Sequence, residues 1–189
     1  MILLLRHGET HWNLEGRIQG RRESTLTERG ERQARAMAGL VRDLIDQEPG
    51  DWRLVASPLL RTRATAAAVS AATGLPVALD PRLAEICCGE WEGRLRRELG
   101  VSGPDWFFEA PGGETFDDVM GRVSGFLADL PPEPQRRVVV VSHGIAGRLL
   151  RGAYARLSRE ETLTQPVPQD AVYRLHAGQL DRFDCEPMD

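Results

Sequence analysis

The sequence contains no lysine. All 24 of its basic residues are arginine, set against 28 acidic ones, and the net charge is −4. Such a balance lacks the excess of positive charge that a nucleic-acid surface requires, so no nucleic-acid partner is expected. Cysteine is scarce. Three residues, an odd number with two of them adjacent at Cys87 and Cys88, argue against an extracellular disulfide framework. No apolar run approaches the roughly 18 residues that cross a bilayer, and the apolar opening Ile2 to Leu5 is too short for a signal-peptide core. A cytoplasmic protein without membrane association is the expectation. Only four histidines occur, His7, His11, His143 and His176, and no Cys-x-x-Cys pair accompanies them, so no metal site is expected. No repeat, low-complexity tract or linker-like composition divides the chain, and 189 residues suit one domain, 1–189, able to bury about 70% of its unfolded surface.

What the sequence does have is two apolar runs that end in histidine-glycine. Leu3-Leu4-Leu5-Arg6-His7-Gly8-Glu9-Thr10 reads as a buried strand that delivers two cationic side chains to its C-terminal tip, where open α/β sheets place their ligands. Val138-Val139-Val140-Val141-Ser142-His143-Gly144 repeats the pattern and opens into a helical stretch. Between them, Leu54-Val55-Ala56 runs into Ser57-Pro58-Leu59-Leu60-Arg61, with Ser57 as the cap and Pro58 as the first position of a helix that carries Arg61 in its first turn. Arginine and histidine at neighbouring strand tips suit an anionic group such as phosphate, and a glycine after the histidine leaves room for a ligand to approach the backbone.

Along the chain, residues 11–26 lack periodicity and carry Gly16, Gly20 and the basic cluster Arg17, Arg21 and Arg22, which reads as a loop over the site. Thr27 caps a helix with an apolar stripe at Ala34, Met37, Ala38, Val41, Leu44 and Ile45, ending near Pro49-Gly50. Strands are expected over 53–56 and 76–79, a helix over 58–73 closed by Gly74, and loops with a short helix over 80–113. Thr115 and Asp118 form a capping pair before a periodic helix from Phe116 to Leu130, which Pro131-Pro132 ends. A helix follows His143 through Tyr154, and residues 172–175 and 180–183, joined through Ala177-Gly178, read as a terminal hairpin or edge strands. Strands alternating with helices predict an α/β fold, a three-layer αβα sandwich around a mainly parallel sheet.

These motifs, together with Asn13, Thr65-Ala66, Glu85, Gly89-Glu90-Trp91-Glu92-Gly93 and Pro111-Gly112-Gly113-Glu114, come in an order that resembles the histidine phosphatase superfamily. That group includes cofactor-dependent phosphoglycerate mutases and many small phosphatases. The resemblance implies a phosphoglycerate-mutase-like fold and a metal-independent reaction. His7 would be the nucleophile, Arg6, Arg61 and His143 would hold phosphate oxygens, and Glu85 would be the general acid and base. Thr10, Asn13, Gln19, Gly20 and Gly144 would complete the substrate site. The implied ligand is a small phosphate ester, with no resident cofactor. The oligomeric state stays open, a homodimer being one alternative.

The sequence departs from the family pattern at Cys87-Cys88 after the acid, and at Asp170 where an asparagine is usual. A phosphatase is favoured over a mutase or an inactive binding relative. The 25 residues from 86 to 110 leave no space for a cationic insertion, and their only basic members, Arg94, Arg96 and Arg97, cluster as on a helix surface. With Trp91 and Trp106 to Phe108 supplying bulk, the cover suits an ester with an uncharged or partly apolar remainder.

Overall fold

A computed structural model describes residues 1–185 of the chain. The strands β1 (Ile2–Arg6), β2 (Arg53–Ala56), β3 (Val77–Leu79), β4 (Val138–Ser142), β5 (Ala171–His176) and β6 (Gln179–Asp184) form one sheet in the order β3-β2-β4-β1-β5-β6. The first four run parallel, while β5 is antiparallel to both β1 and β6. The hairpin between β5 and β6 turns at Ala177 and Gly178, whose φ angles of 49° and 76° match the left-handed pair that tight hairpins require.

Helices cover both faces, which explains why β1 and β4 read as continuous apolar runs rather than alternating ones. Ile2, Leu4, Val138 and Val140 pack with α4 (Phe116–Ala128) and α5 (Gly144–Ala155) through Val119, Val123, Phe126, Leu149 and Leu150. Leu3, Leu5, Val139 and Val141 point the other way, onto α2 (Glu28–Gln47) and α3 (Leu60–Thr73) through Met37, Ala38, Val41, Ala66 and Val69. The expected three-layer sandwich is therefore the architecture. No helix among the described residues is long and apolar enough to cross a membrane.

Local chemistry sets most helix ends where the sequence puts them. Thr27 accepts from the Gly30 amide at 3.0 Å and starts α2, and Thr115 with Asp118 makes a reciprocal capping box for α4. Three details differ from expectation. Residues 11–26 are not all loop, since α1 (His11–Glu15) is capped by Thr10, with Asn13 returning the bond to the Thr10 amide. α3 begins at Leu60 behind Leu59, not at Pro58, because the Ser57 hydroxyl is turned toward His143 and the Glu23 carboxylate takes the Leu60 amide instead. The sixth helix, α6 (Arg159–Thr164), was missed although Ser158 and Glu161 carry the capping-box signal.

The strand register builds the site. β1 and β4 pair in parallel with Leu5 opposite Val141 and Arg6 opposite Ser142, and the His7 amide donates to the Ser142 carbonyl at 3.1 Å. His7 and His143 therefore leave the sheet side by side. β2 flanks β4 with Ala56 opposite Val141, which sets Ser57 beside His143.

Gly8 serves packing and not ligand approach. A Cβ there would lie 2.2 Å from the Gly30 carbonyl oxygen, so the first turn of α2 closes directly on the chain behind His7. Gly8→Ala is expected to destabilise by about 1–3 kcal/mol through forced displacement of that backbone. Urea unfolding of the two proteins measures it, and equal midpoints would contradict the packing role.

Candidate active site

His7 is 2% exposed, and its Nδ1 lies 2.8 Å from the Gly8 carbonyl oxygen. A carbonyl can only accept, so Nδ1 carries the hydrogen and Nε2 keeps its lone pair. The His143 ring packs edge-on against it, centroids 5.2 Å apart. His143 Nε2 is 2.7 Å from Ser57 Oγ, which also accepts from the Leu59 amide at 3.4 Å. His143 Nδ1 is buried and has no partner among the described residues.

The two guanidinium groups are anchored at one side and open at another. Arg6 donates to the Val167 carbonyl at 2.6 Å, and Arg61 donates to the carbonyls of Gly20 (2.7 Å) and Arg22 (2.9 Å). The Nε atoms of both are buried without a partner. Unsatisfied buried donors are uncommon in folded proteins and call for an explanation, and here two of them belong to arginines that line one cavity with a histidine able to act as a nucleophile. Burial pulls Arg6 down to about 10 and lowers Arg61 too, yet Arg6 stays charged at neutral pH.

Glu85 reaches the same place from the far side of the sheet. Its carboxylate accepts from the amides of Ile86 (3.0 Å), Ile145 (3.2 Å) and Ala146 (3.0 Å), the last two being the start of α5. Arg122 of α4 donates to the carbonyls of Arg82 (2.7 Å) and Ala84 (2.6 Å), fixing the backbone immediately before Glu85. Neither helix contact is visible from sequence spacing. Gly144, the first residue of α5, faces both Arg6 and Glu85, with their nearest atoms 3.6 and 3.7 Å from where a Cβ would be.

Arg6, His7, Arg61 and Glu85 open into a cavity of about 290 Å³ lined also by Asn13, Gln19 and Gly20, with Trp12, Arg17, Arg96, Trp106 and Phe107 farther out, whereas His143 and Gly144, expected in the site, lie behind this lining. Asn13 uses Oδ1 in the α1 cap and to accept from Gln169 at 3.0 Å, leaving its amide hydrogens for a ligand. Gln169, which also donates to the His7 carbonyl at 3.3 Å, was missed because it lies 162 residues away in an irregular stretch. Thr10 is fully buried and its hydroxyl is engaged in the cap, so it does not reach the cavity. Gly20 contributes a carbonyl to Arg61, and its φ of 52° leaves no space for a side chain beside Glu92. The buried Gln19 carries an unpartnered Oε1.

The cover is stitched together from two segments. Residues 16–18 bond to 93–96 through Ile18 to Arg94 (2.9 Å), Gly93 to Ile18 (2.8 Å) and Arg96 to Gly16 (3.1 Å). Arg96 belongs to a single 3-10 turn, not to a helix surface, and it lines the cavity. His11, four residues after His7, is exposed at the start of α1, and among the described residues no group of three or more His, Cys, Asp or Glu side chains is placed to hold a metal ion.

Burial, reinforced by the charges of Arg61 and Arg6, holds both His7 and His143 well below the ordinary histidine value. A histidine whose folded pKa is depressed binds its proton more readily when unfolded, so stability is complete above about pH 6.5 and falls as the pH drops below it. Urea unfolding at pH 7 and pH 5 should therefore show a loss in the wild type that shrinks in His143→Gln. An unchanged difference would contradict the neutral assignment.

The family model of the histidine phosphatase superfamily (branch 1) matches residues 2–182. A protein of Enterobacter sp. (strain 638) named "Probable phosphoglycerate mutase GpmB" is 39% identical over 155 residues, covering 77% of this chain and 70% of its own. Among solved structures, a mycobacterial glucosyl-3-phosphoglycerate phosphatase complexed with VO3 is 27% identical with a TM-score of 0.78, over 98% of this chain and 99% of that one. Bacillus stearothermophilus YhfR, at 27% identity and a TM-score of 0.76, covers 95% of this chain and 93% of its own.

Proposed function

The chain belongs to the histidine phosphatase superfamily, and from that premise we propose that it hydrolyses phosphate monoesters of small metabolites through a phosphohistidine on His7. The observation that carries this reading is the free Nε2 of His7 in a cavity that Arg6 and Arg61, each with an unpartnered Nε, also line. In the first step the Nε2 lone pair forms a bond to phosphorus as the ester P–O bond breaks. Arg6, Arg61 and His143 hold the equatorial oxygens, where charge is spread during transfer. Glu85 gives its proton to the departing oxygen. In the second step water attacks the phosphohistidine, Glu85 takes the water's proton, and the P–N bond breaks to return neutral His7 and inorganic phosphate.

A mutase is the second reading, favoured by the name that the Enterobacter relative carries. The two differ in what reaches the phosphohistidine. A mutase returns the phosphoryl group to a bound organic acceptor and must exclude water. An assay of 3-phosphoglycerate with 2,3-bisphosphoglycerate present, beside phosphate release from simple monoesters, decides between them. Release is expected to be the faster reaction, and isomerisation well ahead of release would overturn the phosphatase reading.

A further inference from the structure

The cover over the cavity holds one cation that the proposed chemistry does not use. The Arg96 guanidinium lies 4.7 Å from the centroid of the Trp106 ring and lines the cavity, yet its side chain makes no hydrogen bond or ion pair with any described residue. Its counterpart on the opposite wall differs. Arg17 lies 5.7 Å from the Trp12 centroid, but it is bound by the Glu15 carboxylate (2.9 Å) and the Gly93 carbonyl (2.6 Å). The charge of Arg17 is answered within the protein, whereas Arg96 is exposed and its charge is met by solvent alone until a ligand arrives.

The backbone of Arg96 is fixed through its amide to Gly16, and its indole support is fixed as well. Trp106 stacks on Trp91 at 6.2 Å and meets Phe107 edge-on at 5.5 Å. Such a pair presents a flat apolar wall and a positive charge together. With Arg6 and Arg61 already at the cavity floor and Arg17 on the wall neutralised by Glu15, the Arg96 guanidinium adds a repulsion that a ligand with a second negative charge would relieve. A ligand with one anionic end meets only the floor.

The geometry points to a subsite at the Arg96–Trp106 end of the cavity that selects phosphate esters whose organic part combines a flat or apolar body with a negative charge. This rests on the phosphatase reading for what happens to the ester and departs from the expectation of an uncharged remainder. Arg96 is a specificity residue here. It takes no part in phosphoryl transfer.

Binding of non-hydrolysable phosphonates to the intact protein tests the subsite apart from the reaction. Four probes serve: 4-carboxyphenylphosphonate and 4-(carboxymethyl)phenylphosphonate, each paired with its carboxamide of nearly equal size. Titration by tryptophan fluorescence or calorimetry should show at least one carboxylate binding about tenfold tighter than its carboxamide, as one charge-assisted contact to an exposed arginine held on an indole face provides. Arg96→Gln should erase that advantage and leave carboxamide affinity within about twofold, while Arg94→Gln, on an exposed residue outside the cavity lining, keeps it. Equal affinity within both pairs, an advantage that survives Arg96→Gln, or no binding by any probe would each overturn the subsite. Failure to release phosphate from the corresponding aryl phosphates would instead overturn the phosphatase reading, whatever the phosphonates do.

Discussion

His7→Ala is expected to lose phosphate release by about 10⁴-fold or more, because removing the nucleophile leaves positioned cations with no group to accept the phosphoryl. The substitution also removes a buried ring that packs against His143 and bonds to the Gly8 carbonyl, so a thermal melt must accompany the rate measurement. Folded protein with activity within tenfold of the wild type would show that His7 is not the nucleophile.

Glu85→Gln is the second large effect. Its proton matters in proportion to the basicity of the departing oxygen, so an alkyl phosphate should slow by about 10²–10⁴-fold while p-nitrophenyl phosphate, with its stable leaving group, slows far less. The comparison is internal to one variant and therefore survives any general damage. Some damage is expected, since both carboxylate oxygens accept backbone amides and an NH₂ group would face at least one of them. Equal losses on the two substrates would assign Glu85 a purely structural role at the start of α5.

The parts of this molecule that were legible in its sequence are those encoded by runs of neighbouring residues. Leu3 to Leu5 and Val138 to Val141 announce doubly covered strands because every residue in them is apolar, and the histidine that ends each run marks the sheet edge. Thr27 and Thr115 announce helix starts because their bonds go to residues three positions on. α1 escaped because five residues are too few to show a period and its cap uses asparagine where glutamate or glutamine is the usual signal.

The remainder depends on contacts between distant segments. That Glu85 bonds the first turn of α5, that Arg122 fixes the carbonyls ahead of it, and that Val167 holds Arg6 are consequences of layers meeting across the sheet. The basic trio at Arg94, Arg96 and Arg97 shows the limit most clearly. Its spacing suggests an exposed helical face, and all three are exposed, but the segment is a single 3-10 turn, and the bonds between residues 16–18 and 93–96 set Arg96 at the cavity and leave Arg94 outside the lining. Gly8 illustrates the converse, a residue that belongs to the motif in sequence and to the α2 packing in space.

The central claim is a phosphoryl group carried on His7, and rapid-quench trapping with a ³²P-labelled monoester tests it most directly. The account predicts a phosphoprotein that forms within one turnover, is labile in acid and stable in base, decays as inorganic phosphate appears, and is absent from His7→Ala. Label that is stable in acid, or that persists in folded His7→Ala, would contradict it.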